Sequence, residues 1–442
     1  MEPRARGKLW GRSACTAQPC YLPAVHLSAR RLNRATLARQ FLLERRPLPV
    51  VDAVRRLVAL QAQEPASPYL ALWNRLEGFV PAELDEALRA LAVVKAPLMR
   101  ITLHAVVAED RAPFHRAMTP TLRAARLNDR RFRASGLSVA DADALVPHVL
   151  AFARRPRSRQ EIEAALAERL GAAADPGVWW ALRTIAPLVH APAEAPWAFG
   201  RSPRYVAAPD VRAGEDPPAP GDPAGADEAV AATAATAATA ASAATAATAQ
   251  LVRRYLAAFG PATRQDFAQF ALLRQTEVGP AFESLGGALR TLRGPAGETL
   301  YDVPDAPLPD DDAPAPARLL PMWDSVLLAY KDRGRVIPPA YRTHVVRRNG
   351  DVLPTVLVDG YVAGVWRPRA GGIEVTAFHA LEDDDWDGIE REARELLAFL
   401  AGRDDAVYGR FGHWWSRLPG AQVRQVEPNT TSPVSSTIQC TP

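Results

Sequence analysis

The stretch LMRITLHAVV at residues 98–107 is the strongest indication of the fold of the N-terminal part of the chain. Its apolar and β-branched residues follow one another without a helical period, which is typical of a strand. Upstream of it, apolar residues at helical spacing predict four short helices, around Leu37, Val50, Tyr69 and Ala82. Short helices closed by a pair of strands are typical of a winged helix, so we expect one over residues 28–135.

The same order of helices and strands recurs downstream. A Ser-Arg-Gln-Glu capping-box pattern at Ser158 predicts a helix start, and a third helical pattern begins at Leu251. We therefore expect further winged helices at residues 136–210 and 250–303. Residues 211–249 between them are first rich in Pro, Gly and Asp and then repeat Ala-Ala-Thr, almost without large apolar side chains, so we interpret them as a low-complexity linker.

The C-terminal part changes in character from helices to strands. Residues 355–366 read TVLVDGYVAGVW, in which the Asp-Gly pair predicts a tight hairpin turn. A helix is predicted from about Trp386 to Leu400, and residues 318–418 are expected to form a β-rich, barrel-like domain. The predicted fold class is thus α+β, with tandem winged-helix domains followed by a C-terminal β-barrel-like domain. Residues 1–27 are interpreted as a disordered extension and residues 419–442 as a flexible tail.

Composition favours a multidomain protein with a real core. The chain has 442 residues, of which 48% are hydrophobic and 23% charged, and its net charge of +4 is a mild bias toward polyanions. Cys15, Cys20 and Cys440 lie near the termini and match no zinc-site spacing, which favours a reducing compartment. We find no signal peptide and no apolar run of membrane-spanning length, and we interpret the aspartate runs 310–312 and 383–385 as solvated charge. The expectation is a cytoplasmic protein without a membrane segment, metal or cofactor.

The segment LQAQEPASP at residues 60–68 is the most distinctive candidate site. Pro65 disfavours helical geometry at the residue before it, so the preceding helix should end near Gln61 or Ala62. Alternate side chains of an extended segment share a face, and Gln61 and Gln63 can therefore converge. The other interpretation is two polar residues at a frayed helix end.

A second candidate is a basic and aromatic stretch that suits contacts with nucleic-acid phosphates. A solvated rim of the β-rich domain is the alternative interpretation. The stretch includes Tyr330, Tyr341 and the predicted DNA-binding residues Lys331, Arg333, Arg335, Arg342, His344, Arg347 and Arg348.

Several short motifs, in order along the chain, resemble the AlkZ/YcaQ family of winged-helix DNA glycosylases. The resemblance covers most of the chain between residues 28 and 418, although the Ala-Thr insertion is not a family feature. The motifs are LQAQ (60–63), LMRITLH (98–104), RYL (254–256), FGPAT (259–263), LLPMWD (319–324), VIPP (336–339) and NGDVLPTVLVDG (349–360).

The resemblance implies tandem winged helices and a barrel around a cleft for duplex DNA. It also implies removal of alkylated purines, including N7-alkylguanine adducts and some interstrand crosslinks, with Gln61 and Gln63 as the catalytic Gln-x-Gln pair. An N7-alkylated guanine is cationic and leaves without a strong acid, so the enzyme has chiefly to place a water against the sugar. A glutamine carbonyl can hold that water, and the neighbouring Glu64 is a further candidate base.

Two classes of function follow from these observations. The first hypothesis is a monomeric, monofunctional DNA glycosylase that acts on alkylated purines in double-stranded DNA. The alternative is a non-catalytic winged-helix DNA-binding protein or transcription regulator, which predicts selective binding to a particular duplex sequence. An RNA-binding module is a weaker third hypothesis, because the chain lacks an RNP-type aromatic strand.

Overall fold

A computed structural model describes residues 26–200, 202–212, 226–404 and 407–428. The predicted N-terminal extension up to residue 25, all three cysteines and residues 213–225 of the predicted linker lie outside these ranges. The helices are α1 (Ala29–Arg39), α2 (Val50–Leu57), α3 (Ser67–Trp73), α4 (Pro81–Arg89), α5 (Ala108–Leu127), α6 (Arg130–Arg133), α7 (Val139–Phe152), α8 (Arg159–Leu170), α9 (Pro176–Ile185), α10 (Pro209–Arg212), α11 (Ala226–Phe259), α12 (Arg264–Ala271), α13 (Gln275–Leu285), α14 (Arg342–Val345) and α15 (Asp383–Leu400).

The strands form two larger sheets and one hairpin. They are β1 (Leu60–Gln61), β2 (Val93–Pro97), β3 (Leu103–Val107), β4 (Arg157–Ser158), β5 (Leu188–Ala191), β6 (Arg204–Ala207), β7 (Arg290–Arg293), β8 (Thr299–Asp302), β9 (Arg318–Leu320), β10 (Thr355–Val358), β11 (Tyr361–Arg369), β12 (Gly372–Ala377) and β13 (Gln422–Val426). Short 3₁₀ helices lie at Met99–Ile101, Gly286–Ala288, Ser325–Leu327, Arg333–Arg335, Pro339–Tyr341 and Gly409–Arg417.

The first sheet has six strands in the order β1-β3-β2-β5-β6-β4. The strand predicted around residues 98–107 is confirmed from Leu103 onward, where β3 pairs antiparallel with β2. The turn between them is a 3₁₀ helix in which Arg100 has a φ of 54°. Strand β2 also pairs with β5 through Lys95 and His190, so one sheet continues across the boundary predicted near residue 135. The predicted capping box at Ser158 is confirmed, with Glu161 as its partner.

The segment predicted as a linker differs from that prediction. Helix α11 runs without a break from Ala226 to Phe259, through the Ala-Ala-Thr repeat and past the boundary predicted at residue 250. Alanine has the highest helix propensity, and the end of the repeat is also packed, since Ala247, Thr248 and Ala249 are buried. The small side chains let this helix approach α5 and α13 closely. The sequence did not indicate this packing, because the repeat has almost no large apolar residues.

The second sheet has five strands in the order β13-β12-β11-β10-β9, and it is open rather than barrel-like. Within the described residues its outermost strands, β9 and β13, pair on one side only, and α15 packs against the sheet. The prediction of a barrel is therefore wrong. The predicted Asp-Gly hairpin is confirmed: Val358 pairs with Tyr361, and Asp359 and Gly360 have φ of 46° and 80°, as this tight turn requires.

The stretch predicted as a flexible tail also contributes to this sheet. Gln422–Val426 forms β13, which pairs antiparallel with β12 along its whole length. The polar composition of the strand hid it from the sequence, because an edge strand exposes one of its faces. Residues 429–442 lie outside the described ranges.

One apolar core joins the N-terminal helices to the second sheet. Leu60 and Ala62, on either side of Gln61, pack in the same cluster as Leu319, Met322 and Trp366. The Gln-x-Gln segment therefore lies where the first sheet meets the C-terminal one.

Candidate functional site

The Gln-x-Gln segment is extended, and it begins a few residues after a helix. Helix α2 ends at Leu57, earlier than predicted, and Val58 turns the chain with a φ of 70°. Strand β1 then pairs antiparallel with β3, which places Gln61 directly opposite His104. The helix end is thus set by Val58 and by strand pairing, not by Pro65.

The two glutamines lie in different environments. Gln61 is 4% exposed, whereas Gln63 is exposed to solvent. The Gln61 Oε1 atom accepts a hydrogen bond from the backbone N–H of Gln63 at 2.7 Å. Between them the buried Ala62 donates its N–H to the Leu103 carbonyl at 2.8 Å. The backbone thereby fixes the direction of the Gln61 carbonyl, while the Gln63 amide meets solvent.

A small cavity, lined by both polar and apolar side chains, borders Gln61. Its volume is about 10 Å³, close to the space that one water occupies. Its lining includes Gln40, Arg75 and Asp324. Arg75 and Asp324 form a bidentate ion pair at 2.8 and 2.9 Å, and both side chains are 1% exposed. This pair holds the cavity wall in place, because breaking it would leave a buried charge.

Glu64, the further candidate base, is engaged by a partner. Its carboxylate pairs with Arg410, whose side chain is 67% exposed, while that of Glu64 is 14% exposed. The arginine restricts the orientation of this carboxylate. Nothing in this geometry directs it toward the glutamine amides.

His104 is fixed as a neutral ring beside Gln61. Its Nδ1 donates to the Thr102 carbonyl at 3.0 Å, and its Nε2 lies 3.3 Å from the Arg100 Nη2 atom, which donates to it. Burial and the Arg100 charge lower the pKa of His104 to about 3. The hydrogen bond to Thr102 gives His104 a structural role within the hairpin.

Three of the predicted DNA-binding side chains are held by the protein itself. Lys331 donates to the Gln265 side chain at 2.8 Å. Arg335 donates to the Pro261 carbonyl at 2.8 Å and lies 4.0 Å from the centre of the Tyr330 ring. Arg347 donates to backbone carbonyls of its own turn and lies 4.4 Å from the Trp414 ring.

The other four predicted residues are less engaged. Arg342 and Arg348 are exposed, His344 packs beside Phe378, and Arg333 is half-buried. In the described ranges the guanidinium groups of Arg333, Arg342 and Arg348 form no ion pair. Burial and the charge of Arg342 lower the pKa of Arg333.

Sequence reasoning missed several residues around the segment. Arg75, Gln40 and Arg410 carried no signal, because each approaches Gln61 or Glu64 from a distant part of the chain. Asp324 did carry one, since it closes the LLPMWD motif. In the parts of the chain that the structure describes, no cluster of His, Cys, Asp or Glu could hold a metal ion, and no helix is long and apolar enough to cross a membrane.

Comparisons with known proteins agree on one family. A family model for AlkZ-like DNA glycosylases matches residues 54–399. An interstrand DNA cross-link repair glycosylase of Streptomyces sahachiroi is 28% identical over 151 residues, which are 33% of this chain and 41% of that protein, so the match spans less than half of the relative. The solved structure of the Streptomyces sahachiroi DNA glycosylase AlkZ superposes with a TM-score of 0.66 at 22% identity, over 84% of this chain and 96% of that one. The chain therefore belongs to the AlkZ-like DNA glycosylase family.

Proposed function

We propose that this protein is a monofunctional DNA glycosylase that hydrolyses the N-glycosidic bond of alkylated purines in duplex DNA. The observation that carries the proposal is the Gln61–Gln63 pair, which lies in an extended segment within the family match and presents one amide to solvent. The helices and hairpins of residues 28–135, 136–210 and 250–303 are proposed as the winged helices that surround the DNA.

The two amides divide the chemical work. Gln61 has one lone pair already engaged by the Gln63 N–H, so its carbonyl is oriented before substrate arrives. Gln63 is free to accept a hydrogen bond from the attacking water and to donate one to the substrate. Neither is a strong base, which suits a cationic leaving group and an oxocarbenium-like sugar, and gives little activity on undamaged DNA.

N7-alkylated guanine is the proposed leaving base, including the case in which the adduct joins two strands. The support is chemical, since the site offers no strong acid to a neutral base, and it comes also from the name of the curated relative, a cross-link repair glycosylase. Arg333, Arg342 and Arg348 are proposed to contact DNA phosphates, because their guanidinium groups have no carboxylate partner within the described residues. A monomer in the cytoplasm that acts without cofactor or metal completes the proposal.

Base release tests this function directly. The protein is incubated with a duplex that carries one N7-methylguanine, and abasic sites are then cleaved with alkali. We expect strand cleavage at the lesion and none on the undamaged duplex. No release by wild type, together with selective binding to a particular undamaged sequence, would replace the proposal with a regulator.

A further inference from the structure

Arg100 is held close to the glutamine pair by its contact with His104. It lies in the turn between β2 and β3, where its Nη1 donates to the Phe270 carbonyl at 2.8 Å and its guanidinium carbon is 5.3 Å from the centre of the Phe270 ring. Its Nη2 contacts His104, the residue that faces Gln61 across the strands. The charge is thus held one side chain away from Gln61.

This guanidinium still has unused hydrogen-bond donors. Arginine carries five N–H groups, and the contacts with Phe270 and His104 use two of them. The residue is partly exposed, yet its surroundings are enclosed enough that burial lowers its pKa to about 10. Its partial exposure leaves the remaining donors within reach of a ligand.

A second arginine, Arg333, lies in a segment that is attached to the same helix as Arg100. The charge of Arg333 also lowers the pKa of Arg100, so the two guanidinium groups repel one another. Both arginines lie in segments that are hydrogen-bonded to helix α12. Arg100 donates to the Phe270 carbonyl, and the backbone N–H of Lys331, two residues before Arg333, donates to the Asp266 carboxylate. Neither forms an ion pair with a carboxylate in the residues that the structure describes. Neighbouring cations without a counter-ion are destabilising unless an anion binds between them.

We propose that Arg100 and Arg333 together bind one phosphate of the DNA backbone, next to the damaged nucleotide that Gln61 and Gln63 act on. This inference rests on the proposed function and names the ligand of a site beside the glutamines. A phosphodiester fits better than a base edge, because two guanidinium groups supply charge and several converging donors to a tetrahedral oxyanion.

Phosphate binding here also removes an electrostatic conflict. The positive charge of the alkylated base is shared with the sugar in the transition state, and two nearby arginines without a counter-ion would oppose that charge. A bound phosphodiester offsets one of their two positive charges, so the pair positions the strand with a smaller penalty on glycosidic bond cleavage. Arg100 is thus a positioning residue, separated from Gln61 by His104.

The test combines side-chain and backbone changes. Duplexes that carry one N7-methylguanine are made with a single uncharged methylphosphonate at each linkage around the lesion in turn. Binding and single-turnover base release are measured for wild type, Arg333→Ala, Arg100→Lys and, as a control, Arg169→Ala at an exposed position of α8. Arg333→Ala removes no side-chain hydrogen bond of the described fold, so it remains informative if Arg100 variants fold poorly.

We expect one linkage at which the methylphosphonate weakens wild-type binding by about tenfold or more. On the normal backbone Arg333→Ala should lose a similar factor, and it should be insensitive to methylphosphonate at that linkage alone. The slope of its log affinity against log salt concentration should also decrease by the amount expected for about one phosphate contact. Arg169→Ala should behave like wild type. The phosphate site would be overturned if, at every linkage, the loss of affinity from Arg333→Ala simply multiplied the loss from the methylphosphonate. It would also be overturned if Arg333→Ala and Arg100→Lys bound the duplex as tightly as wild type. Absence of base release by wild type would instead overturn the proposed function, and the binding series would still decide this inference.

Discussion

Replacing Lys95 by methionine should stabilise the protein, and the gain should depend on pH. Lys95 is 4% exposed on β2, it lies 4.3 Å from the centre of the Phe199 ring, and it has no carboxylate partner among the described residues. Burial lowers its pKa from 10.5 to about 7. His190, its partner on the neighbouring strand, brings no negative charge to offset this, so folding favours the neutral amine.

The magnitude follows from linkage. A pKa lowered from 10.5 to about 7 corresponds to about 5 kcal/mol, at about 1.4 kcal/mol for each tenfold change in proton affinity. Between pH 7 and 10.5 the unfolded chain binds the proton and the folded one does not, so stability rises with pH; below pH 7 the whole penalty is present. Lys95→Met should therefore raise the free energy of unfolding by about 5 kcal/mol at pH 6.5 and by about 3 kcal/mol at pH 8.

Urea unfolding followed by tryptophan fluorescence measures this difference at each pH. Other titrating groups are common to both proteins, so the change in the difference with pH isolates Lys95. Lys331→Met, at an exposed lysine, is the matched control and should shift stability by roughly 0.5 kcal/mol or less. A Lys95→Met protein no more stable than wild type at pH 6.5, or a gain that does not vary with pH, would refute the reasoning.

Three further predictions concern the surroundings of the glutamines and the hairpin. Asp324→Asn leaves Arg75 buried without its counter-ion and should lower the free energy of unfolding by about 3–5 kcal/mol in urea titrations; a loss under 1 kcal/mol would show that the pair is solvated. Gly360→Ala should lower the melting temperature through a cost above about 1 kcal/mol, because φ is 80° and a Cβ would lie 2.6 Å from the Asn33 and Leu37 side chains of α1; an unchanged melting temperature contradicts this. His104→Asn should keep most base-release activity, and wild type should show no inflection near pH 6.5, because a histidine of pKa about 3 stays neutral there; an inflection lost in the variant would assign proton transfer to His104.

The sequence predicted correctly those elements that depend on residues close together in the chain. The capping box at Ser158, the hairpin turn at Asp359 and the strand leading to Val107 all follow from residues within a few positions of one another. The wrong predictions concern segments whose secondary structure depends on contacts with residues far away in the sequence. The Ala-Thr repeat is helical because alanine favours helix and its end packs against α5 and α13, and Gln422–Val426 is a strand because β12 offers it an edge.

At the candidate site, too, only the features that are local in sequence could be predicted. The Gln61–Gln63 pair could be picked out from its spacing and its resemblance to a family. Its surroundings could not, since Gln40, Arg75 and Arg410 reach it from separate parts of the chain. No periodicity indicates which of seven basic residues are held by backbone carbonyls and which are free of carboxylates, and that distinction is what directs attention to Arg333.

The central claim is that a pair of neutral amides performs hydrolysis. Its most direct test is the single-turnover rate of N7-methylguanine release by wild type, Gln61→Ala, Gln63→Ala and the double variant, each checked for folding by circular dichroism. We expect wild type to release the base, each single variant to be slower by at least about a hundredfold, and the double variant to be little worse than the slower single one, because the two amides act as a unit. Release by the double variant at the wild-type rate would contradict the claim.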